Sequence, residues 1–214
     1  MESKIRDLRQ EIFKFEQLSN FDKNDFFVSE CNYFAFNLIK SWPNWEKKIL
    51  NIYGERKSGK SHLSEIFLEN KKGIKLKLKD LNNKIFGRIK GYENIVIEDF
   101  NERCDEEATY SLIDMVEKEN KYLLITSVRA VNEMETRLKD LNSRFKNILT
   151  AKIDKPDDEL IYALILKNFS DNQIILDKKL INFICKRIAR SYDKISEFIC
   201  TINEISLKKK NLLI

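Results

Sequence analysis

A chain of 214 residues is long enough for one ordinary domain with a small second one attached. Its 43% hydrophobic residues, among them 14 Phe and 7 Tyr, supply material for a core. Five Gly and two Pro are too few for a loop-rich β-sandwich or a disordered chain and favour a helix-rich architecture. The 39 basic and 34 acidic side chains nearly balance, so the net charge of +5 permits contact with nucleic acid without demanding it.

Four scattered cysteines (Cys31, Cys104, Cys185 and Cys200) form no CxxC pair and the chain has a single His, which speaks against a zinc site and for free thiols in a reducing compartment. The charged first ten residues contain no apolar core of a signal peptide, and no stretch reaches the length of a membrane span, so the expected location is the cytoplasm.

In chain order, Ile5, Leu8, Ile12 and Phe15 lie at helical spacing and predict a short amphipathic helix over residues 2–15. A polar stretch containing Gln17-Leu18-Ser19-Asn20-Phe21 follows. Ser29 reads as the N-cap of a helix running to about Lys40 and ended by Trp42-Pro43. From there the chain alternates. Strands are expected at Ile49–Tyr53, Ile74–Leu78, Ile95–Ile97, Tyr122–Thr126 and Ile148–Ile153. Helices are expected at Ser61–Glu69, Leu81–Ile89, Glu106–Glu119 and Met134–Phe145. Such alternation implies an α/β fold with a five-stranded parallel sheet covered on both faces. Pro156 breaks the pattern, and beyond it only helical periods remain, at Asp158–Asn168, Lys178–Arg190 and Lys194–Lys208. The division expected is a tail over residues 1–25, an α/β nucleotide-binding domain over 26–154 and a small helical lid domain over 155–214. Lys208-Lys209-Lys210 reads as a solvated helix end.

Residues 54–61, GERKSGKS, satisfy the phosphate-loop pattern G-x-x-x-x-G-K-[ST] between an apolar strand and a helix. Terminal glycines let the backbone curl with its N–H groups pointing inward. Lys60 would reach the β- and γ-phosphates, Ser61 would ligate Mg²⁺, and the helix adds its N-terminal dipole. The candidate contacts to ADP or ATP are Gly54, Glu55, Arg56, Lys57, Ser58, Gly59, Lys60, Ser61 and the adjoining His62. The strand Ile95-Val96-Ile97 ends in Glu98-Asp99, a carboxylate tip of the kind that holds Mg²⁺ (Asp99 with Ser61) and polarises a water. Thr126-Ser127 closes a further strand, where a hydroxyl senses the γ-phosphate or simply caps the strand. Ser143-Arg144 lies near a helix end, and an arginine at a subunit boundary can stabilise charge on a neighbour's nucleotide.

The order and spacing of these pieces resembles the AAA+ module of the bacterial DnaA initiator family. The chain is most similar to the short DnaA-related regulators of the Hda subfamily in their alphaproteobacterial form. The residues that carry the resemblance are GERKSGKSHL (54–63), VIEDF (96–100), LLITSVR (123–129), DLNSRF (140–145) and FICKRIARS (183–191), with Phe26–Asn32 ahead of Trp42-Pro43. It spans roughly residues 15–205. It implies that Lys60 and Ser61 are phosphate-loop ligands, that Glu98 and Asp99 form the acidic strand tip, and that Ser127 stands at the sensor-1 position. It further implies that Arg144 is an arginine finger acting in trans on ATP bound to a DnaA-type initiator. The family's tail carries a peptide that docks into the DNA sliding clamp, and Gln17, Leu18 and Phe21 match it, which would bring the protein to DNA indirectly.

Three departures separate the chain from a full initiator: it ends at Ile214 where initiators continue into a helix-turn-helix domain, Glu98 replaces an aspartate, and Asp193 stands where the family has its sensor-2 arginine, beside Lys194. The function implied is a regulator that, with the clamp, promotes hydrolysis of initiator-bound ATP and switches replication initiation off, with weak or no ATPase of its own. A homo-oligomer is a further possibility. The rivals are a stand-alone P-loop ATPase or nucleotide kinase, for which Arg187 and Arg190 would serve as lid arginines, and a nucleotide-binding adaptor without stimulatory activity.

Overall fold

The β-branched and leucine-rich runs lie at the centre of the molecule because their side chains are apolar on both faces. Strand β1 (Ile49–Tyr53), β3 (Asn94–Phe100) and β4 (Tyr122–Ser127) are buried along nearly their whole length. Strand β2 (Gly73–Lys77) alternates buried Ile74 and Leu76 with wetter lysines, as an edge strand does, and β5 (Leu149–Lys152) closes the other edge. All pairings are parallel, as expected from the alternation, and the order is β2-β3-β4-β1-β5. The computed structural model describes residues 26–69, 72–82, 84–172 and 177–210, with side chains described up to residue 206. The helix expected over residues 2–15 and the Gln17–Phe21 peptide lie outside the described residues.

Alternate strand residues face two separate cores. On one side Leu50, Ile52, Val96 and Leu124 meet helix α1 (Tyr33–Ser41) and α2 (Lys60–Leu68) through Ala35, Ile39, Leu63 and Phe67. On the other side Ile95, Ile97, Leu123 and Ile125 meet α3 (Phe86–Ile89), α4 (Glu106–Lys118) and α5 (Lys139–Lys146) through Ile89, Leu112, Ile113, Leu141 and Phe145. After β5 come α6 (Asp158–Asp171), α7 (Lys178–Cys185) and α8 (Tyr192–Lys210), which gather round a third cluster of Ile161, Ile165, Phe169, Ile181, Cys185 and Ile195.

Several helix ends differ from expectation, each for a local reason. Helix α1 starts at Tyr33, because Asn32 turns back on the chain: its Oδ1 accepts from Ser29 N–H at 3.0 Å and its amide donates to Phe27 O at 2.9 Å. Ser29 thus lies in a preceding turn and does not cap the helix. The segment before α3 is taken up by a 3₁₀ turn and by Asn82, whose Oδ1 accepts from Lys84 N–H. Helix α5 begins at Lys139, five residues later than the pattern suggests, since Asn142 holds Thr136 and the Glu106 carboxylate accepts the N–H groups of Arg137 and Leu138 at 3.0 and 2.9 Å. Helix α7 ends at Cys185, where Arg187 and Ile188 both donate to Ile184 O.

Candidate functional site: the phosphate loop and the Arg144 cleft

Residues Gly54–Gly59 link β1 to α2 at the carboxyl end of β1, an interior strand between β4 and β5. Gly54 N–H donates to Ser127 O at 3.2 Å, tying the loop to the tip of β4. A Cβ at Gly54 would sit 2.7 Å from Ile153 O, a backbone atom that cannot move aside. Gly59 is left-handed (φ +92°), a conformation a side chain rarely adopts, and Lys57 is held there too (φ 61°). Phe26 roofs the loop: it stacks on Phe36 with ring centroids 5.6 Å apart and meets His62 edge-on at 5.2 Å.

Lys60 opens α2 and its ammonium is drawn into the loop. It donates to Gly54 O at 2.8 Å, Glu55 O at 2.5 Å and Ser58 Oγ at 3.3 Å. Burial pushes its pKa down, while the nearby carboxylates of Asp99 and Glu55 work against that shift. Ser58 is buried with it, whereas Arg56, Lys57 and Ser61 are exposed and Glu55 and His62 half-buried. A cationic amine ringed by a glycine-ended loop, at the N-terminus of a nine-residue helix, is suited to receive a phosphate chain.

The acidic strand tip divides. Asp99 takes a left-handed backbone (φ 56°) at a shift in the β3–β4 register between Ile97 and Phe100, and its N–H is received by Thr126 Oγ1 at 3.3 Å. That break leaves its carboxylate exposed and within electrostatic reach of Lys60. Glu98 instead meets Lys75, 3.4 Å away, and Lys75 also bonds Glu65 of α2. Ser127 is fully buried; its hydroxyl donates to Arg129 O at 2.6 Å and accepts from Asn51 Nδ2 at 2.9 Å. The same Asn51 also donates to Ile125 O and accepts from Val131 N–H at 3.0 Å, so a single buried amide stitches β1, β4 and the chain beyond β4. Asn51 is unmarked in the sequence except as a polar residue inside an apolar strand. Thr126, on the same sheet face as α2, is the hydroxyl that reaches the acidic tip.

Helix α8 meets the loop from the other side. Tyr192 donates to Asp154 O at 3.0 Å and pairs with Cys31 Sγ at 3.5 Å, and burial pushes its phenol pKa up. Next to it Asp193 lies 3.4 Å from Lys57. Lys194 turns to Glu197 at 2.7 Å. A cleft of about 510 Å³ flanks the loop between Gly54, Glu55, Val128, Arg129, Lys152 and Asp154. Arg187 stacks 3.7 Å over Phe183 and Arg190 pairs with Asp158 at 2.9 Å, so both are engaged within the helical part.

Arg144 is not brought to this loop. It lines a cleft of about 400 Å³ with Glu46, Lys47, Lys48, Glu117 and Ile148, at the amino end of β1 beside Ile49. Ile49 and Gly54 are five residue steps apart along the strand, roughly 16 Å. The Arg144 guanidinium lies over the Tyr110 ring, 4.7 Å from the centroid, and bonds Asp114 Oδ1 at 3.0 Å and Glu117. The Tyr110 hydroxyl, then burial working the other way, then Glu117 set a pKa raised above the ordinary arginine value.

No protein-family model matches the chain. It is similar to the chromosomal replication initiator protein DnaA of Buchnera aphidicola subsp. Baizongia pistaciae (strain Bp), with 26% identity over 232 residues covering 94% of this chain and 50% of the relative. The chain thus spans half the length of that relative. Among solved structures it resembles AMPPCP-bound DnaA from Aquifex aeolicus (17% identity, TM-score 0.66, 84% of this chain and 64% of that one). It also resembles domain III of Thermotoga maritima DnaA (18%, 0.66, 91% and 90%) and a Thermotoga maritima RuvB (13%, 0.65, 86% and 65%). The fold is therefore the α/β AAA+ architecture seen in DnaA and RuvB, and the chain is related in sequence to DnaA. Among the described residues no helix is long and apolar enough to cross a membrane.

Proposed function

We propose that the chain is a nucleotide-binding regulator of replication initiation, of the Hda kind. Held on the DNA sliding clamp, it promotes hydrolysis of ATP carried by a DnaA-type initiator. The observation that carries this reading is the separation of Arg144 from the chain's own phosphate loop by the length of β1. A guanidinium placed there serves a nucleotide on another molecule, and an arginine supplied in trans is worth about 10³–10⁵ in rate where such fingers are known.

The loop itself holds ADP or ATP. Lys60 exchanges its carbonyl partners for phosphate oxygens, and the N–H groups opening α2 receive the same anion. Ser61 and Asp99 are hard oxygen donors beside the loop, the kind Mg²⁺ takes one or two at a time alongside phosphates and water. Bound there, the ion would neutralise phosphate charge. Own-site hydrolysis is weak in this account, since Glu98 is paired with Lys75, the Ser127 hydroxyl is consumed inside the fold, and Asp193 brings a carboxylate toward the loop. The cluster shared by α6, α7 and α8 supports a helical lid from residue 155, the α/β unit covering 26–154 and residues 1–25 forming the tail. Gln17, Leu18 and Phe21 are the clamp contacts in this account, and DNA is met through the clamp.

The test is hydrolysis of initiator-bound ATP in the presence of DNA-loaded clamp. The chain should accelerate it, and Arg144→Ala should remove the acceleration while leaving folding and nucleotide binding intact. Phosphoryl transfer to nucleoside monophosphates would instead identify a nucleotide kinase, whose lid arginines the engagement of Arg187 and Arg190 argues against.

A further inference from the structure

The two edges of the Arg144 guanidinium are held differently. Nη2 faces α4 and is bound by Asp114 Oδ1 at 3.0 Å and the Tyr110 hydroxyl at 3.5 Å, above the Tyr110 ring. Nη1 is bound by Glu117, further along α4 and itself a lining residue of the cleft. Tyr110, Asp114 and Glu117 follow one another at i, i+4 and i+7, which stacks them along one face of α4. The two carboxylates are not equivalent. Asp114 is three-quarters covered and its second oxygen is occupied by Lys118 at 2.7 Å, so its charge is already balanced within α4. Glu117 has half its side chain in water and lines the same cleft as Arg144. Counting Arg144 and Lys118 against Asp114 and Glu117, the cluster is neutral; without Glu117 it carries one positive charge.

We infer that Glu117 is a removable carboxylate cap on Arg144, displaced when a polyphosphate enters the cleft, while Asp114 and Tyr110 hold the guanidinium in place for that encounter. Capped, Arg144 presents an anion to incoming phosphates. A phosphate chain competes for the same Nη1 edge with more charge and more acceptor oxygens than one carboxylate. Half-exposed, Glu117 can rotate into water at little cost, which Asp114, tied on both oxygens, cannot. Lys47 and Lys48 border the cleft with one further carboxylate, Glu46, so with Glu117 turned away Arg144 and the two lysines leave the lining positive. Arg144 is thereby kept from scavenging free anions and is released by a ligand that is both multiply charged and held against the surface.

This inference rests on the role proposed for Arg144 in trans, and it is tested in two assays that fail separately. In the first, inorganic tripolyphosphate is titrated into the purified chain and followed by NMR at the Arg144 guanidinium and the Ile148 amide, so that binding at the phosphate loop is read apart. Glu117→Gln, which keeps the shape and a hydrogen-bonding side chain, should tighten binding at the cleft about three- to tenfold, the effect of removing one surface charge a few ångströms from the anion. Equal or weaker binding by Glu117→Gln overturns the cap. Asp114→Asn removes the same charge but leaves Glu117 on Nη1, so it should broaden the guanidinium signal and gain clearly less affinity; a gain equal to that of Glu117→Gln overturns the division of labour. In the second assay, with initiator-bound ATP and DNA-loaded clamp, Glu117→Gln should reach half-maximal stimulation at a several-fold lower concentration. If Arg144→Ala has no effect there, the proposed function fails; if Arg144→Ala abolishes stimulation and Glu117→Gln does not improve it, only the cap fails.

Discussion

Lys60 and Arg144 are the two cations the account depends on, and both are bound within the chain. Lys60 is enclosed by carbonyl oxygens of its own loop, so a phosphate replaces neutral acceptors with charged ones and gains the difference. Charge-assisted hydrogen bonds contribute about 1.5–3 kcal/mol each. Lys60→Ala should therefore weaken ADP binding at least tenfold, measured by calorimetry, with the circular dichroism spectrum unchanged. Affinity equal to wild type would remove Lys60 from the phosphate site. Asp193 acts in the opposite sense: 3.4 Å from Lys57, it sets a carboxylate at the loop edge where a γ-phosphate would add more repulsion than an ADP. Asp193→Asn should shift the ratio of ATP to ADP affinity toward ATP by several-fold, since one exposed charge is screened to about a kcal/mol or less. An unchanged ratio would show that Asp193 does not face the phosphates.

At the scale of elements, helix caps decide how the helical part is attached. Asp157 accepts Leu160 N–H at 2.8 Å at the start of α6 and, with its other oxygen, Cys31 N–H at 3.1 Å, so it fixes α6 and the approach to α1 together. Burial alone would raise its pKa, but the hydrogen bonds from Leu160, Ser29 and Cys31 outweigh it and leave the carboxyl below its ordinary 3.8. Because the folded value is depressed, the stabilisation is complete above about pH 4 and is lost as pH falls through the lower folded value. Asp157→Ala should cost about 1 kcal/mol in urea unfolding at pH 7 and pH 5, typical of an N-cap, and the difference should shrink below pH 3.8. A gap independent of pH would mean that the carboxylate charge is not what caps the helix.

The five strands and their parallel pairing were legible because apolar β-branched runs such as Ile95-Val96-Ile97 and Leu123-Leu124-Ile125 report burial on both faces. Helix starts were less so, since they depend on partners distant in sequence. Glu106 sits at the head of α4 yet supplies acceptors for the N–H groups just before α5, and nothing near residue 137 signals it. The glycine pattern disclosed the loop, but Asn51, which locks the Ser127 hydroxyl inside the fold, is visible only once β1 and β4 are side by side. The alternation of the strands likewise gave Glu98 and Asp99 as a pair; the register shift that sends one to Lys75 and leaves the other near Lys60 comes from tertiary pairing.

For the molecule as a whole, the sheet sets the division of roles. Parallel strands put the phosphate loop at the carboxyl end of β1 and the Arg144 cleft at its amino end, so one chain carries the proposed nucleotide site and a cation at the opposite end of the strand. In the proposed function this cleft meets the nucleotide of the initiator, a heterologous head-to-tail contact. Under the proposed function, a nucleotide in this chain's own loop would bear on shape, through Lys57, Asp193 and the packing of Tyr192 against the sheet, and the hydrolysis that matters would take place in the partner. The most direct test is a single-turnover measurement with labelled ATP loaded on the initiator, unlabelled ADP on this chain, and DNA-loaded clamp present. The initiator's label should convert rapidly to ADP with wild-type chain, and about 10³-fold or more slowly, toward the initiator's own rate, with Arg144→Ala. Equal rates for the two proteins would contradict it.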